Sequence, residues 1–153
     1  MDRLETRVPP PVWALVFAGI ILGISTLDLG WEVAGGGAAV GVLVGVVGLF
    51  IAALGVVDVV GEGTTIDPHD PSKTTTLVTK GVYRFSRNPM YLGMAVVLLG
   101  LGLGLEDPFA AIVGVAGFVV TITRLQIVPE ERALLKRFPK AYPKFQERTR
   151  RWI

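Results

Sequence analysis

Two short polar stretches stand out against long apolar runs: GVYRFSRNPMYLG, from Gly81 to Gly93, and PEER, from Pro129 to Arg132. Their side chains suit ligand binding. Arg84 and Arg87 can take a carboxylate through paired N–H donors. Glu130 and Glu131 can accept hydroxyls or an ammonium, and the Tyr83 and Tyr91 rings offer aromatic faces to an adenine or a sulfonium. A helix that begins at Asn88 and Pro89 also presents free N–H groups to an anion. Taken singly, each feature has a plainer reading. Asn88-Pro89 is a good helix start, the tyrosines suit a membrane interface, and paired acids favour the positive end of a helix. Only together would the two stretches make a site for a ligand carrying both charge signs.

Composition narrows the chemistry. The chain has 153 residues, 51% of them hydrophobic, which points to one membrane-embedded domain over 1–153. It contains no cysteine, so thiolate nucleophiles, disulfides and thiolate metal sites are excluded. His69 is the one histidine, and Asp67-Pro-His-Asp70 reads as a turn rather than a metal site, so no metal is expected. A net charge of +2, clustered next to apolar runs, does not point to nucleic acid.

Four apolar segments, about 12–27, 33–60, 90–105 and 108–128, approach the ~20 residues that cross a bilayer. The fold class read from them is all-α: an integral-membrane bundle of four transmembrane helices, followed by amphipathic interfacial helices over 129–153. The N-terminal run lacks a convincing cleavage site and is read as a retained first helix. Lys and Arg gather before the first segment, in the 61–89 loop and after residue 128, whereas the other two connections carry only Asp28, Glu32, Glu106 and Asp107. The positive-inside rule then puts both termini and the 61–89 loop in the cytoplasm, as in a bacterial inner membrane. Segments three and four are joined by only Leu105–Pro108, so they form an antiparallel hairpin that brings the two polar stretches to the same end.

The glycines read as packing surfaces. Gly37/Gly41/Gly45, Gly19/Gly23 and Gly100/Gly104 each repeat at four residues, a spacing that lets helices approach closely in lipid, within one chain or between two copies. None follows a strand, so a dinucleotide loop is not indicated. In the tail, Tyr142, Phe145, Thr149 and Trp152 recur at helical spacing beside Lys144, Arg148, Arg150 and Arg151. That pattern describes an amphipathic helix on an anionic leaflet. Two charges near helix ends, Asp58 and Arg124, are expected to pair or to share a polar cavity.

The motif Arg87-Asn-Pro-x-Tyr91-x-Gly93, then Glu130-Glu131, then Phe138 and Tyr142, resembles that of the isoprenylcysteine carboxyl methyltransferase-like proteins. These belong to the larger phospholipid methyltransferase group, and the resemblance runs from about Gly63 to Ile153. It implies S-adenosylmethionine bound at the cytoplasmic face, near Tyr83, Arg87, Asn88, Pro89, Tyr91, Gly93, Glu130 and Glu131, and a lipophilic methyl acceptor. Arg87, Glu130 and Glu131 are the implied catalytic residues. Asn88 stands where the eukaryotic enzymes have His, and Pro139 replaces a glycine; both departures bear on the acceptor more than on the cofactor. A prenylated thiol or carboxylate, a phospholipid amine, a quinone-like lipid and a small thiol all stay open as acceptors. Two other functions compete: a non-catalytic lipid-binding or assembly protein, and a nicotinamide-dependent reductase on related architecture.

Overall fold

The computed structural model describes residues 8–27, 35–63 and 76–153, and the described residues are helical throughout their regular structure. Asp67–Asp70 lies outside them. Four apolar helices form the body: α1 (Pro10–Ser25), α2 (Gly37–Gly61), α3 (Pro89–Gly104) and α4 (Pro108–Ile122). A π-helical turn over Thr123–Ile127 carries α4 without a break into α5 (Val128–Arg137), and α6 (Ala141–Arg148) follows. Proline sits in the first turn of α1, α3 and α4, where its missing N–H costs nothing and its fixed φ favours the helix, whereas Pro129 lies inside the continuous α4–α5 helix just after the π turn. Asp107 caps α4 by accepting from the Ala110 N–H at 2.9 Å.

Two helical stretches are long and apolar enough to cross a membrane, Gly37–Gly61 and Pro108–Arg137. The second is apolar to Val128 and charged beyond it. At 16 residues each, α1 and α3 are shorter. Val42, Leu43, Leu49 and Phe50 of α2 are each more than 60% exposed. A face of that kind is suited to lipid and not to water.

Helix α3 is central, touching α2, α4 and α1. Its contact with α2 is a glycine seam. A Cβ at Gly93 would lie 2.5 Å from the Gly48 carbonyl oxygen and 2.6 Å from the Ala52 nitrogen, and one at Gly100 would lie 2.6 Å from the Gly45 nitrogen. The seam runs Gly37, Gly41, Gly45, Gly48, Ala52, Gly55 on α2: the expected repeat of four holds through Gly45, and from Gly41 onward the steps alternate four and three residues. That 3.5-residue period keeps one face turned to a partner over several turns. Gly19 and Gly23 have open space where a Cβ would go, so among the described residues that pair makes no close packing within the chain.

Helix α1 fits against α4 instead through Ile21 over Gly114 and Phe17 over Gly117. Phe17 also meets Phe118 edge to face at 6.1 Å. The main core joins Ile21, Tyr91, Leu98, Phe118, Ile122 and Ile127, with Trp152 of the tail packed on it. At the end of the bundle that carries the polar stretches, Val59, Val78, Tyr83, Tyr142 and Phe145 form a second cluster. The aromatic face of α6, read from sequence as a lipid-facing stripe, is thus covered by the protein itself: Tyr142 is 2% exposed and Phe145 7%. Lys144, Arg148 and Arg150 remain exposed.

Candidate functional site

The α3–α4 hairpin does bring the two polar stretches together. Tyr91, in the first turn of α3, donates its hydroxyl to Glu130 Oε1 at 2.5 Å. Arg87, two residues before α3, donates from Nη2 to Glu131 Oε1 at 2.8 Å. Both contacts join residues that only the hairpin makes neighbours. The Glu130 carboxyl is pushed up to about 7, chiefly by burial; the Tyr91 hydrogen bond opposes the rise and the Glu131 charge adds to it. Burial, then the charges of Glu130 and Asp58, also hold the Tyr83 phenol above its ordinary range. Tyr83, Tyr91 and Glu130 therefore share one poorly hydrated, anion-bearing neighbourhood.

Arg87 is heavily committed. Besides Glu131, its Nη1 donates to the carbonyls of Thr149 at 3.1 Å and Gln146 at 3.4 Å, so its cation sits at the negative end of α6. Its side chain is 10% exposed, and its buried Nε–H has no hydrogen-bonding partner among the described residues. An orphaned donor on a buried guanidinium is a ready contact for an anionic group.

Asn88 occupies the N-cap position of α3, but its side chain makes no capping bond. Its Nδ2 donates to the Arg151 carbonyl at 2.9 Å, while its own N–H goes to Ser86 Oγ at 3.1 Å. The expected cap is replaced by a tether to the tail, because the returning chain brings the Arg151 carbonyl there, where Ser86 Oγ also donates to it at 3.5 Å. Pro89 starts the helix as expected and is fully buried; Gly93 belongs to the seam with α2, facing Gly48 and Ala52.

Asp58 and Arg124 do not pair. Asp58 Oδ2 accepts from the Val82 N–H at 2.8 Å, and Arg124 is exposed on the π turn. The carboxylate at the end of α2 finds a backbone donor in the 3-10 turn Gly81–Arg84. That turn requires glycine at its start: Gly81 has φ +57, and a Cβ there would collide with the Asp58 carboxylate. Asp58 thereby positions the turn that carries Tyr83.

Two residues of this region escaped the sequence reading. Arg151 looked like part of a basic anchor, yet its Nε and Nη2 grip both oxygens of Glu131 at 3.0 and 2.7 Å. Gln126, fully buried in the π turn, donates to the Val8 carbonyl at 2.6 Å. A polar amide within an apolar run was the available signal for Gln126. Nothing in the spacing of Arg151 shows that the tail turns back.

The phospholipid methyltransferase family model matches residues 37–141, more than half of the chain and inclusive of Tyr83, Arg87, Tyr91, Glu130 and Glu131. The chain belongs to the phospholipid methyltransferase family. Members of that family are S-adenosylmethionine-dependent methyltransferases acting on lipid-type acceptors. An uncharacterized protein of Haemophilus influenzae is 34% identical over 64 residues, which is 42% of this chain and 100% of the relative. No solved structure matches. Helix α1 and the segment after Ala141 lie outside the matched segment.

Proposed function

We propose that this protein is a four-span integral-membrane methyltransferase. It holds S-adenosylmethionine where Tyr83, Arg87, Tyr91 and Glu130 converge and methylates a lipophilic acceptor reached from the bilayer. The observation that carries this reading is the Tyr91–Glu130 contact beside Arg87, at one end of an apolar bundle and inside the family segment. The donor set suits the cofactor. Glu130 can take an ammonium or ribose hydroxyls, the unpartnered Arg87 Nε–H can take a carboxylate, and the tyrosine rings can line an adenine or a sulfonium.

Bound S-adenosylmethionine would supply an electrophilic methyl group on sulfur. Displacement at such a carbon is governed by alignment and by exclusion of water, so the chain's own work is positioning. Tyr91 fixes one Glu130 oxygen, and α6 with the tail covers the site from the aqueous side. With its carboxyl near 7, Glu130 can hold or release a proton at neutral pH. Asn88 cannot.

The test is binding of S-adenosylhomocysteine to purified protein in nanodiscs, measured by calorimetry. Saturable binding that is lost in Glu130→Gln supports the reading. A wild-type protein that binds none moves the assignment to a non-catalytic membrane protein. The four-span arrangement, with α1 and α3 crossing beside the longer helices and both termini cytoplasmic, rests on the Lys and Arg distribution. Single introduced cysteines in a chain that has none of its own would report it by labelling from each side. Labelling of the two termini from opposite sides would refute it.

A further inference from the structure

The chain after α6 runs without helical or strand partners, yet three consecutive carbonyls in it are paired. Arg87 Nη1 donates to the Thr149 carbonyl at 3.1 Å, the Arg87 N–H to the Arg150 carbonyl at 3.0 Å, and Asn88 Nδ2 to the Arg151 carbonyl at 2.9 Å. Thr149 Oγ1 returns a bond to the Arg84 carbonyl at 3.5 Å. Three consecutive backbone acceptors are thus satisfied by two consecutive residues at the mouth of α3. Buried carbonyls need such partners, and a coil segment can obtain them only from another part of the chain.

What holds the two strands of chain together is Glu131. Its carboxylate lies between Arg87 at 2.8 Å and Arg151, which grips both of its oxygens. The Glu131 side chain is 13% exposed and that of Arg87 10%, whereas that of Arg151 is 40% exposed. Without the carboxylate, two guanidinium groups would face each other in a poorly hydrated space, and repulsion would drive the tail off. Trp152, packed on the core that includes Tyr91, would leave with it.

We infer that Arg151 and Glu131 are a positioning pair, which clamps Thr149–Trp152 across Arg84–Asn88 and so makes the C-terminal segment a wall of the cofactor site. This rests on the S-adenosylmethionine reading above. It assigns Glu131 to the clamp and leaves ligand contact on that side to Glu130 and the Arg87 Nε–H. Because the segment lies beyond residue 141, it is a feature of this chain outside the matched family segment.

Hydrogen–deuterium exchange and S-adenosylhomocysteine titration in nanodiscs test the clamp on the full chain. In Arg151→Ala, amide exchange over 84–88 and 148–152 should rise about tenfold or more, and product affinity should fall about tenfold or more, as expected for lost charge-assisted hydrogen bonds. Arg151→Lys keeps the charge but not the two-pronged grip and should fall between. Arg150→Ala, which removes an exposed side chain and keeps the carbonyl, should match wild type in both readouts. If Arg151→Ala is poorly folded, Arg151→Lys against Arg150→Ala decides.

A tail as protected in Arg151→Ala as in wild type would overturn the clamp. A released tail with unchanged affinity would overturn its role in the site. If wild type binds no product at all, the cofactor reading fails and the wall claim goes with it, while the exchange data still decide whether the clamp exists.

Discussion

Replacing Glu130 by Gln removes a buried charge while keeping an oxygen for the Tyr91 hydroxyl. Its carboxyl is held at about 7, against an ordinary value of ~4.3, mainly by burial. The folded protein therefore retains a proton that the unfolded chain has released. Stability tied to this group is present below ~4.3, is lost as pH rises towards about 7, and is flat above. At ~1.4 kcal/mol per tenfold, the loss across that window is about 4 kcal/mol. Glu130→Gln does not titrate and escapes it.

Thermal unfolding in detergent, followed by tryptophan fluorescence at pH 5 and pH 8, reads the difference directly. The variant should gain on wild type as pH rises, by roughly 2–4 °C for each kcal/mol, and should be the more stable protein at pH 8. Comparing the two proteins at each pH cancels every other titrating group. S-adenosylhomocysteine affinity should move the opposite way: rising through about pH 7 in wild type as Glu130 ionises, and weak and level in the variant. A stability gap that is the same at pH 5 and pH 8 would show that this carboxyl is not perturbed, and the proton-holding role of Glu130 would go with it.

Other substitutions test the frame around the site. Gly93→Ala should destabilise by about 1–3 kcal/mol, because its Cβ meets the α2 backbone, whereas Gly19→Ala, with open space, should be neutral or slightly stabilising in the same unfolding assay. Gly81→Ala should cost more than Gly63→Ala by at least about 1 kcal/mol; both glycines have positive φ, but only Gly81 also abuts Asp58. Glu106, at φ +58, accepts the Gly37 N–H at 2.9 Å. Glu106→Gly and Glu106→Ala both lose that bond, so Glu106→Gly should remain the more stable by about 1 kcal/mol, the strain it alone relieves.

Legibility in the sequence followed the range of the forces involved. The apolar runs and the four-residue link at Leu105–Pro108 were enough to foresee that the two polar stretches meet, and Tyr91–Glu130 and Arg87–Glu131 are the contacts that result. An amphipathic face, by contrast, carries the same spacing whether lipid or protein covers it. Tyr142, Phe145 and Thr149 could not announce that their cover would be Val59, Val78, Tyr83 and the Arg84–Asn88 turn. Opposite charges suggested that Asp58 would seek Arg124, but a backbone N–H is as good a partner and makes no mark in the sequence. Asn88 misled for the same reason: capping is a local rule, and a returning carbonyl outbid it.

The adjacent carboxylates can serve different partners because consecutive helical residues point about 100° apart. Glu130 turns to α3 and Tyr91, and Glu131 to Arg87 and the tail. Their orientation depends on the π turn at Thr123–Ile127, which absorbs one extra residue between the apolar helix and the charged one. Relaxing that turn to regular α-helix would rotate α5 by about 100° and carry Glu130 off Tyr91. Gln126, tied to the Val8 carbonyl, sits inside the turn. The residue two before α1 thus has a physical line through Gln126 to the helix that carries Glu130, although it lies outside the matched segment.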